Sequence, residues 1–232
     1  MALAHPLDNP IWHALGGPHA GLGTVHGLIR RYQPQFAPFA AWETESVETR
    51  AALAVAIPVN GGAVLFTTET VEPVDGLETV MAGHLLQMVA TGFAPSGGAP
   101  GLRPLQNADV PAMQRLIDLT RPGPFAPRTI EMGRYLGLIE GGELVAMAGE
   151  RLRLNGFTEV SAVCTHPDHR GRGYAKALVS AVAETIVERG ETPFLQVLPA
   201  NQPAIATYER LGFATRRTLH LTVVRRPGEG EK

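Results

Sequence analysis

This sequence of 232 residues has a single cysteine, a small net charge and no long hydrophobic run. Cys164 is the single cysteine, so an intrachain disulfide is impossible. The formal net charge of −2 gives no general attraction to nucleic acid or to an anionic membrane. The longest apolar run, residues 51–59, is too short to span a bilayer, and residues 1–12 lack the basic and apolar regions of a signal peptide. We therefore expect a soluble cytoplasmic protein with neither a nucleic-acid nor a membrane partner.

The histidines near the N-terminus do not indicate a metal site. His5, His13, His19 and His26 are separated by eight, six and seven residues, so neighbours do not share one turn of a helix. No cysteine or nearby carboxylate pattern accompanies them. We expect no bound metal and interpret these histidines as surface or packing residues.

The most informative stretch is residues 159–175, EVSAVCTHPDHRGRGYA. Apolar and polar residues alternate at its start, which is typical of a half-buried strand. The predicted strand ends at residues 166–168. A basic turn at residues 170–173 leads directly into a helix. The apolar residues of that helix fall on one face, namely Ala175, Leu178, Val179, Val182, Ala183, Ile186 and Val187. Unpaired N–H groups at a helix N-terminus attract anions, and glycine lets an anion approach the main chain closely. The stretch therefore predicts a site for phosphate or pyrophosphate.

The glycine turn does not match two well-known phosphate-binding patterns. It lacks the Gly-Lys-Ser/Thr end of a P-loop, and it lacks the three spaced glycines and later acidic residue of a dinucleotide fingerprint. The pattern Arg170-x-x-Gly173-x-Ala175 instead resembles the Q/R-x-x-G-x-G/A coenzyme A signature of the GNAT family of N-acetyltransferases. Asn201, Ala204 and the run YERLGF at residues 208–213 resemble the second motif of that family.

The resemblance covers residues 101–226 and implies the fold of that family. This fold is α/β (α+β), with a mixed central sheet flanked by helices. FR47-like and glycine N-acyltransferase-like members are similar in layout, because they also carry an additional N-terminal α/β segment. We therefore divide the chain into an N-terminal α/β segment, residues 1–98, and a GNAT catalytic domain, residues 99–232. One interpretation of the first segment is a degenerate GNAT-like half. The break falls in a run rich in glycine and proline, residues 92–104.

Periodicity and turn residues predict the elements of both parts. The N-terminal segment is expected to contain helices at residues 22–32, 47–57 and 79–89 and strands at residues 36–42 and 62–67. The second part is expected to contain strands at residues 102–105, 135–140, 144–154, 159–165, 194–198 and 220–226, with helices at residues 109–120, 174–189 and 201–211. Residues 121–134, which include three prolines, are either one wall of an acceptor site or an ordinary surface loop.

The resemblance implies transfer of an acetyl or other acyl group from acetyl-coenzyme A to a primary amine of a small molecule or amino acid. The amine attacks directly in a ternary complex, and an amine of the lysine type must first lose a proton because its pKa is about 10.4. Glu159 is the first candidate for the base, since it lies eleven residues before Arg170, where histone-acetylating members of the family place a glutamate. A solvated residue at the strand edge is the alternative role for Glu159. Glu150 is the rival base, with a salt bridge to Arg151 or Arg153 as its structural alternative.

Tyr208 is the candidate general acid, because a phenol is protonated at pH 7 and can donate to a departing thiolate. Asn201 either caps the helix that follows or binds an amide of pantetheine. The pantetheine arm could add to the strand edge at residues 163–165, with the pyrophosphate at the amides of residues 171–176. The predicted coenzyme A-binding residues are Val163, Cys164, Thr165, Arg170, Gly171, Arg172, Gly173, Tyr174, Ala175, Lys176 and Asn201.

Other functions remain open at this point. The chain could be a non-catalytic acyl-coenzyme A sensor that uses its N-terminal segment to contact a partner, and a homodimer is compatible with the sequence. An acyl-cysteine mechanism at Cys164 is disfavoured, because no histidine is placed to activate it and the strand pattern turns it into the core. A nucleotide-binding oxidoreductase is also disfavoured, since it leaves Asn201 and residues 208–213 unexplained. The sequence does not identify the acceptor amine or the length of the acyl chain.

Overall fold

The computed structural model describes residues 5–97 and 101–228. Its strands are β1 (Gly23–His26), β2 (Ile29–Tyr32), β3 (Ala40–Trp42), β4 (Gly62–Thr67), β5 (Glu78–Ala90), β6 (Leu102–Pro104), β7 (Tyr135–Glu140), β8 (Glu143–Leu154), β9 (Phe157–Thr165), β10 (Thr192–Val197) and β11 (Phe213–Arg225). Its α-helices are α1 (Pro10–Leu15), α2 (Val47–Ala56), α3 (Val110–Thr120), α4 (Tyr174–Glu188) and α5 (Gln202–Arg210). The result is a mixed α/β fold with a central sheet flanked by helices, as predicted.

The central sheet draws strands from both parts of the chain. Its order is β4-β11-β5-β10-β9-β8-β7-β6, and β1, β2 and β3 form a separate antiparallel sheet. β5 is antiparallel to both β10 and β11, whereas β9 and β10 are parallel. The N-terminal segment therefore supplies the strand that joins β11 to the rest of the sheet. The predicted division between residues 98 and 99 lies outside the described residues and stays a prediction.

Two predicted helices of the N-terminal segment are wrong. Of the residues predicted as the first of these helices, 23–32 form the β1-β2 hairpin, in which Gly27 has a φ of 59° at the turn. Residues 79–89 lie within β5, a strand of 13 residues. Because the C-terminal half of β5 is buried on both faces, its apolar residues do not alternate with polar ones, and the sequence lacks the usual signal of a strand. The predictions of α2 and β4 are confirmed, and Ser46 and Thr49 form a capping box at the start of α2.

The elements predicted for the second part are confirmed with small changes. β7, β8 and β9 form an antiparallel meander, and Gly141 and Gly142 make its first turn with positive φ values. β11 begins seven residues earlier than predicted, because it pairs with β5 along nearly its whole length. On α4, Val187 was predicted to face the core but is 45% exposed, whereas Ser180 is buried.

Different elements cover the two faces of the central sheet. We call the face covered by α4 and α5 the α4 face, where Leu178 and Val182 pack in one core with Val160 and Leu195. We call the opposite face the α1 face. There the N-terminal segment packs through Leu7, Ile11, Tyr32 and Phe39 against Leu152, Phe194 and Leu219, and α3 packs beside it on β8 and β9. Among the described residues, no helix has both the length and the apolar character needed to cross a membrane.

Candidate functional site

A gap opens in the central sheet between β9 and β10. The two parallel strands pair only from Thr192 opposite Phe157 to Phe194 opposite Glu159. Beyond that point β9 bulges away, and Ala162 within the bulge has a φ of 52°. Bulges re-aim a strand and interrupt its ladder. The facing strand edges therefore offer main-chain donors and acceptors beside residues 163–165, where the sequence predicts the pantetheine arm.

The glycine turn lies between the end of β9 and the start of α4. Gly171 and Gly173 have φ values of 76° and 80°, and a Cβ placed on either would meet nothing within 4 Å among the described residues. Gly173 is the N-cap of α4 and has no side chain to satisfy the first N–H groups of the helix. These features fit a bound phosphate, because the helix end and the open glycine surface leave room and donors for an anion.

A carboxylate that the sequence analysis missed lies beside this turn. Glu140, at the end of β7, accepts a hydrogen bond from Arg172 Nη1 at 3.0 Å and another from the hydroxyl of Tyr174. His169 Nε2 lies 3.5 Å from the same carboxylate. His169 Nδ1 is buried and has no hydrogen-bond partner among the described residues. Glu140 thus holds the side chain of Arg172, which was predicted to lie near the phosphates, and that of Tyr174, which was predicted among the coenzyme A-binding residues.

Glu159, the predicted base, is enclosed on the α1 face at the point where β9 and β10 separate. It is 1% exposed. Its two carboxylate oxygens accept hydrogen bonds from Arg151 Nε and Nη2 at 2.8 Å each, and the Leu152 N–H donates to it at 3.3 Å. The guanidinium of Arg151 in turn lies 4.8 Å from the centre of the Phe39 ring. The solvated-edge alternative for Glu159 is therefore wrong, because the carboxylate is buried and both of its oxygens are bonded to Arg151.

Glu150, the rival base, is also paired. It is 5% exposed, and its Oε1 accepts a hydrogen bond from Arg189 Nη1 at 2.7 Å. The expected partners were Arg151 or Arg153, but Arg153 pairs with Glu191 at 2.6 Å. A salt bridge at Glu150 is confirmed, and the partner comes from the end of α4, which periodicity could not place.

Tyr208 lies on α5 and is buried on the α4 face, with its ring 6.2 Å from that of Phe213. Burial raises the pKa of Tyr208 to about 12, so its phenol is protonated at neutral pH. Asn201 is exposed and caps α5, since its Oδ1 accepts a hydrogen bond from the Ala204 N–H at 3.4 Å. The capping alternative for Asn201 is therefore observed.

Cys164 is 6% exposed, and burial raises the pKa of its thiol to about 12. A thiol with this pKa carries almost no thiolate at pH 7, which agrees with the expectation that Cys164 is not a nucleophile. The neighbouring Thr165 Oγ1 is buried and unpaired among the described residues, so it has hydrogen-bonding capacity left for a ligand.

Gln196 on β10 is a further polar residue that the sequence analysis did not identify. It lies two residues beyond Phe194, the last residue of β10 that pairs with β9. Both its Oε1 and its Nε2 are buried without a hydrogen-bond partner in residues 5–97 and 101–228. The signal in the sequence was a glutamine within the otherwise apolar strand FLQV.

The loop at residues 121–134 packs against the N-terminal segment. Thr129 Oγ1 donates to the Phe36 carbonyl at 2.6 Å, and the Arg128 N–H donates to the Gln35 carbonyl at 2.9 Å. In the described part of the chain, no group of three or more histidine, cysteine, aspartate or glutamate side chains is arranged to hold a metal.

Comparisons with known proteins point to one family. The family model described as FR47-like protein matches residues 135–221. The chain is 30% identical over 115 residues to the [ribosomal protein bS18]-alanine N-acetyltransferase of Escherichia coli, which covers 47% of this chain and 77% of that protein. A crystal structure of a GNAT-family protein from Novosphingobium aromaticivorans superimposes with a TM-score of 0.90 and 40% identity, over 96% of this chain and 99% of that one. A GCN5-related N-acetyltransferase from Kribbella flavida shares the fold, with a TM-score of 0.59 and 19% identity over 94% and 97% of the two chains.

Proposed function

The chain belongs to the GNAT family of acetyltransferases and is similar to its FR47-like members, and we propose that it acetylates the α-amine of a peptide or amino acid. Acetyltransferases of this family take the acetyl group from acetyl-coenzyme A. The acetyl donor is common to the family, whereas the α-amine acceptor is proposed for this chain. The E. coli relative that acts on an alanine of a ribosomal protein supports the same class of acceptor.

The pairing of the two candidate bases carries this proposal. Glu159 and Glu150 are both buried and both bonded to arginines. An amine of the lysine type, with a pKa of about 10.4, is free in only about one molecule in 2,500 at pH 7. An α-amine, with a pKa of about 7.7–8.0, is free in about one molecule in ten at the same pH. An α-amine therefore suits a site whose candidate carboxylates are already held, because it can lose its proton to water before attack.

The gap and the glycine turn support a position for the acyl donor. We place the pantetheine arm between the separated edges of β9 and β10, where residues 163–165 and the unpaired Thr165 hydroxyl can bond its amides. The pyrophosphate lies at the amides of residues 171–176, at the N-terminus of α4. Arg170, Arg172 and Lys176 add positive charge there. In this arrangement Arg172 leaves Glu140 when the donor binds.

The residues of the proposed site have separate roles in the transfer of the acetyl group. The free amine attacks the thioester carbonyl, the C–N bond forms, and the C–S bond breaks to release a thiolate. The proton of the attacking amine leaves to water. Tyr208 donates a hydrogen bond to the departing sulfur, but its pKa of about 12 exceeds that of a thiol, about 8.5, so the net proton on the thiol comes from solvent. Glu159 holds Arg151 and the separated end of β9 in place and does not accept the proton.

The proposal is tested by a free-thiol assay with acetyl-coenzyme A from pH 6 to 10. The two acceptors are a lysine-free alanyl peptide with a free N-terminus and an N-terminally blocked peptide with one lysine. We expect turnover of the first, with kcat/KM rising to about pH 8 and then levelling as the α-amine is deprotonated. Turnover of the lysine peptide alone would overturn the choice of acceptor. Acetyl-coenzyme A binding without turnover of any amine would instead favour the sensor.

A further inference from the structure

Gln196 is an unsatisfied polar side chain at the edge of the gap. Since alternate residues of a strand share a face, it lies on the α1 face with Phe194, which packs in the core under the N-terminal segment. Both ends of its amide are buried and unpaired within the described part of the chain. A buried amide without partners destabilises a protein, so its presence beside the proposed reaction centre points to a ligand.

The residue opposite Gln196 is also a glutamine, but its amide is hydrogen-bonded at both ends. Gln87 on β5 is the cross-strand partner of Gln196 and is fully buried. Its Nε2 donates to the Leu7 carbonyl at 2.8 Å, and its Oε1 accepts from Arg216 Nε at 2.7 Å. Both ends of that amide are therefore satisfied within the protein. The two glutamines share a face and differ in partners, so the lack of partners at Gln196 is a local feature of the gap.

The required ligand has to offer a donor and an acceptor close together. We propose that Gln196 binds the acceptor, with its Oε1 accepting a hydrogen bond from the attacking amine and its Nε2 donating to the carbonyl oxygen next to that amine. An α-amine carries such a carbonyl on the neighbouring carbon. The ε-amine of lysine and the amines of a polyamine do not. This assignment rests on the proposed function and explains how the same site would select α-amines.

The charges on the α1 face favour a peptide N-terminus over a free amino acid. Arg151 is held by Glu159, and Arg216 is bonded to both Gln87 and Asp8. The carboxylate of a free amino acid would therefore be buried beside a neutral amide, while the nearby arginines already have partners. Burying an unpaired charge costs far more than burying a hydrogen-bonded neutral carbonyl. The site accordingly selects an amine followed by a neutral carbonyl, as at the start of a peptide chain.

The test compares the wild type with Gln196→Met, which has a similar length and makes no comparable hydrogen bonds. The acceptors are an alanyl peptide, alaninamide, alanine and a peptide with only a lysine amine. We expect kcat/KM for the alanyl peptide and alaninamide to fall on the order of 30-fold, mainly through KM, while KM for acetyl-coenzyme A stays within about twofold. In the wild type, alaninamide should be a better acceptor than alanine.

Gln87→Met is the matched control for folding. It removes satisfied hydrogen bonds and should lower Tm, whereas Gln196→Met removes unsatisfied atoms and should not. A lower Tm for Gln196→Met would show a structural partner and overturn the assignment. So would unchanged kcat/KM for the peptide, or a loss confined to KM for acetyl-coenzyme A. If the wild type transferred nothing to any α-amine, the proposed function itself would fail; if it did so and ignored the Gln196 change, only this inference would fail.

Discussion

The substitution Glu159→Gln separates a structural role of this carboxylate from a catalytic one. Glu159 is 1% exposed and forms two hydrogen bonds of 2.8 Å with Arg151, whose side chain is itself 11% exposed. Removing one charge of a buried pair leaves the other charge uncompensated, which typically costs 3–5 kcal/mol. Glutamine keeps one oxygen that can accept from Arg151, so we expect about 3 kcal/mol, at the lower end. For a domain of this size, that corresponds to a fall in Tm of roughly 6–12 °C.

The assay has two parts, thermal unfolding and the rate of acetyl transfer measured well below Tm. We expect the large fall in Tm together with a kcat and a pH profile close to those of the wild type. Glu131→Gln is the control, because Glu131 forms the same bidentate contact with Arg128 at the surface and its loss should leave Tm unchanged. A rate loss on the order of 100-fold with unchanged Tm and recovery at high pH would show that Glu159 is the base and refute our reasoning.

Three further substitutions test the donor site. Gly173→Glu should abolish acetyl-coenzyme A binding in calorimetry, since it strains a φ of 80° and adds a negative charge at the turn, whereas Gly190→Glu, with a φ of 76° at the other end of α4, should bind normally. Tyr208→Phe should lower kcat and leave donor affinity nearly intact; full activity would remove its role at the leaving group. Glu140→Gln should tighten acetyl-coenzyme A binding severalfold, because it weakens the hold on Arg172 and removes a negative charge near the phosphates; weaker binding would contradict this.

The elements that carry the proposed donor site could be predicted because they are local in sequence. The alternation before His166, the glycines at 171 and 173 and the apolar face of α4 follow one another within 30 residues. Each element is determined by its own residues and by its neighbours in the chain, through strand alternation, positive φ at glycine and helical periodicity. For the same reason the β7-β8-β9 meander and α5 were predicted at nearly their observed bounds.

The surroundings of the proposed acceptor site could not be predicted, because they depend on contacts between distant parts of the chain. Residues 78–90 form a strand because they pair with β10 and β11. The sequence of this segment alone does not distinguish a buried strand from a helix. The partner of Glu150 comes from the end of α4, 39 residues away. The pairing of Glu159 with Arg151 was within reach of the sequence, since β8 and β9 were predicted as neighbours, but the contact of Arg151 with the distant Phe39 ring was not.

The N-terminal segment contributes directly to the sheet that carries the proposed site. β5 fills the place between β10 and β11, so without it the strand that bears Gln196 would lose its antiparallel neighbour. The carbonyl of Leu7 satisfies Gln87 beside that residue, and the Phe36 carbonyl bonds the loop at residues 121–134. Phe39 of the same segment places its ring 4.8 Å from the guanidinium of Arg151, the partner of Glu159. Since this segment contributes to the sheet, to the packing around Arg151 and to the position of the loop at residues 121–134, differences in acceptor among relatives of this fold should follow differences in this segment.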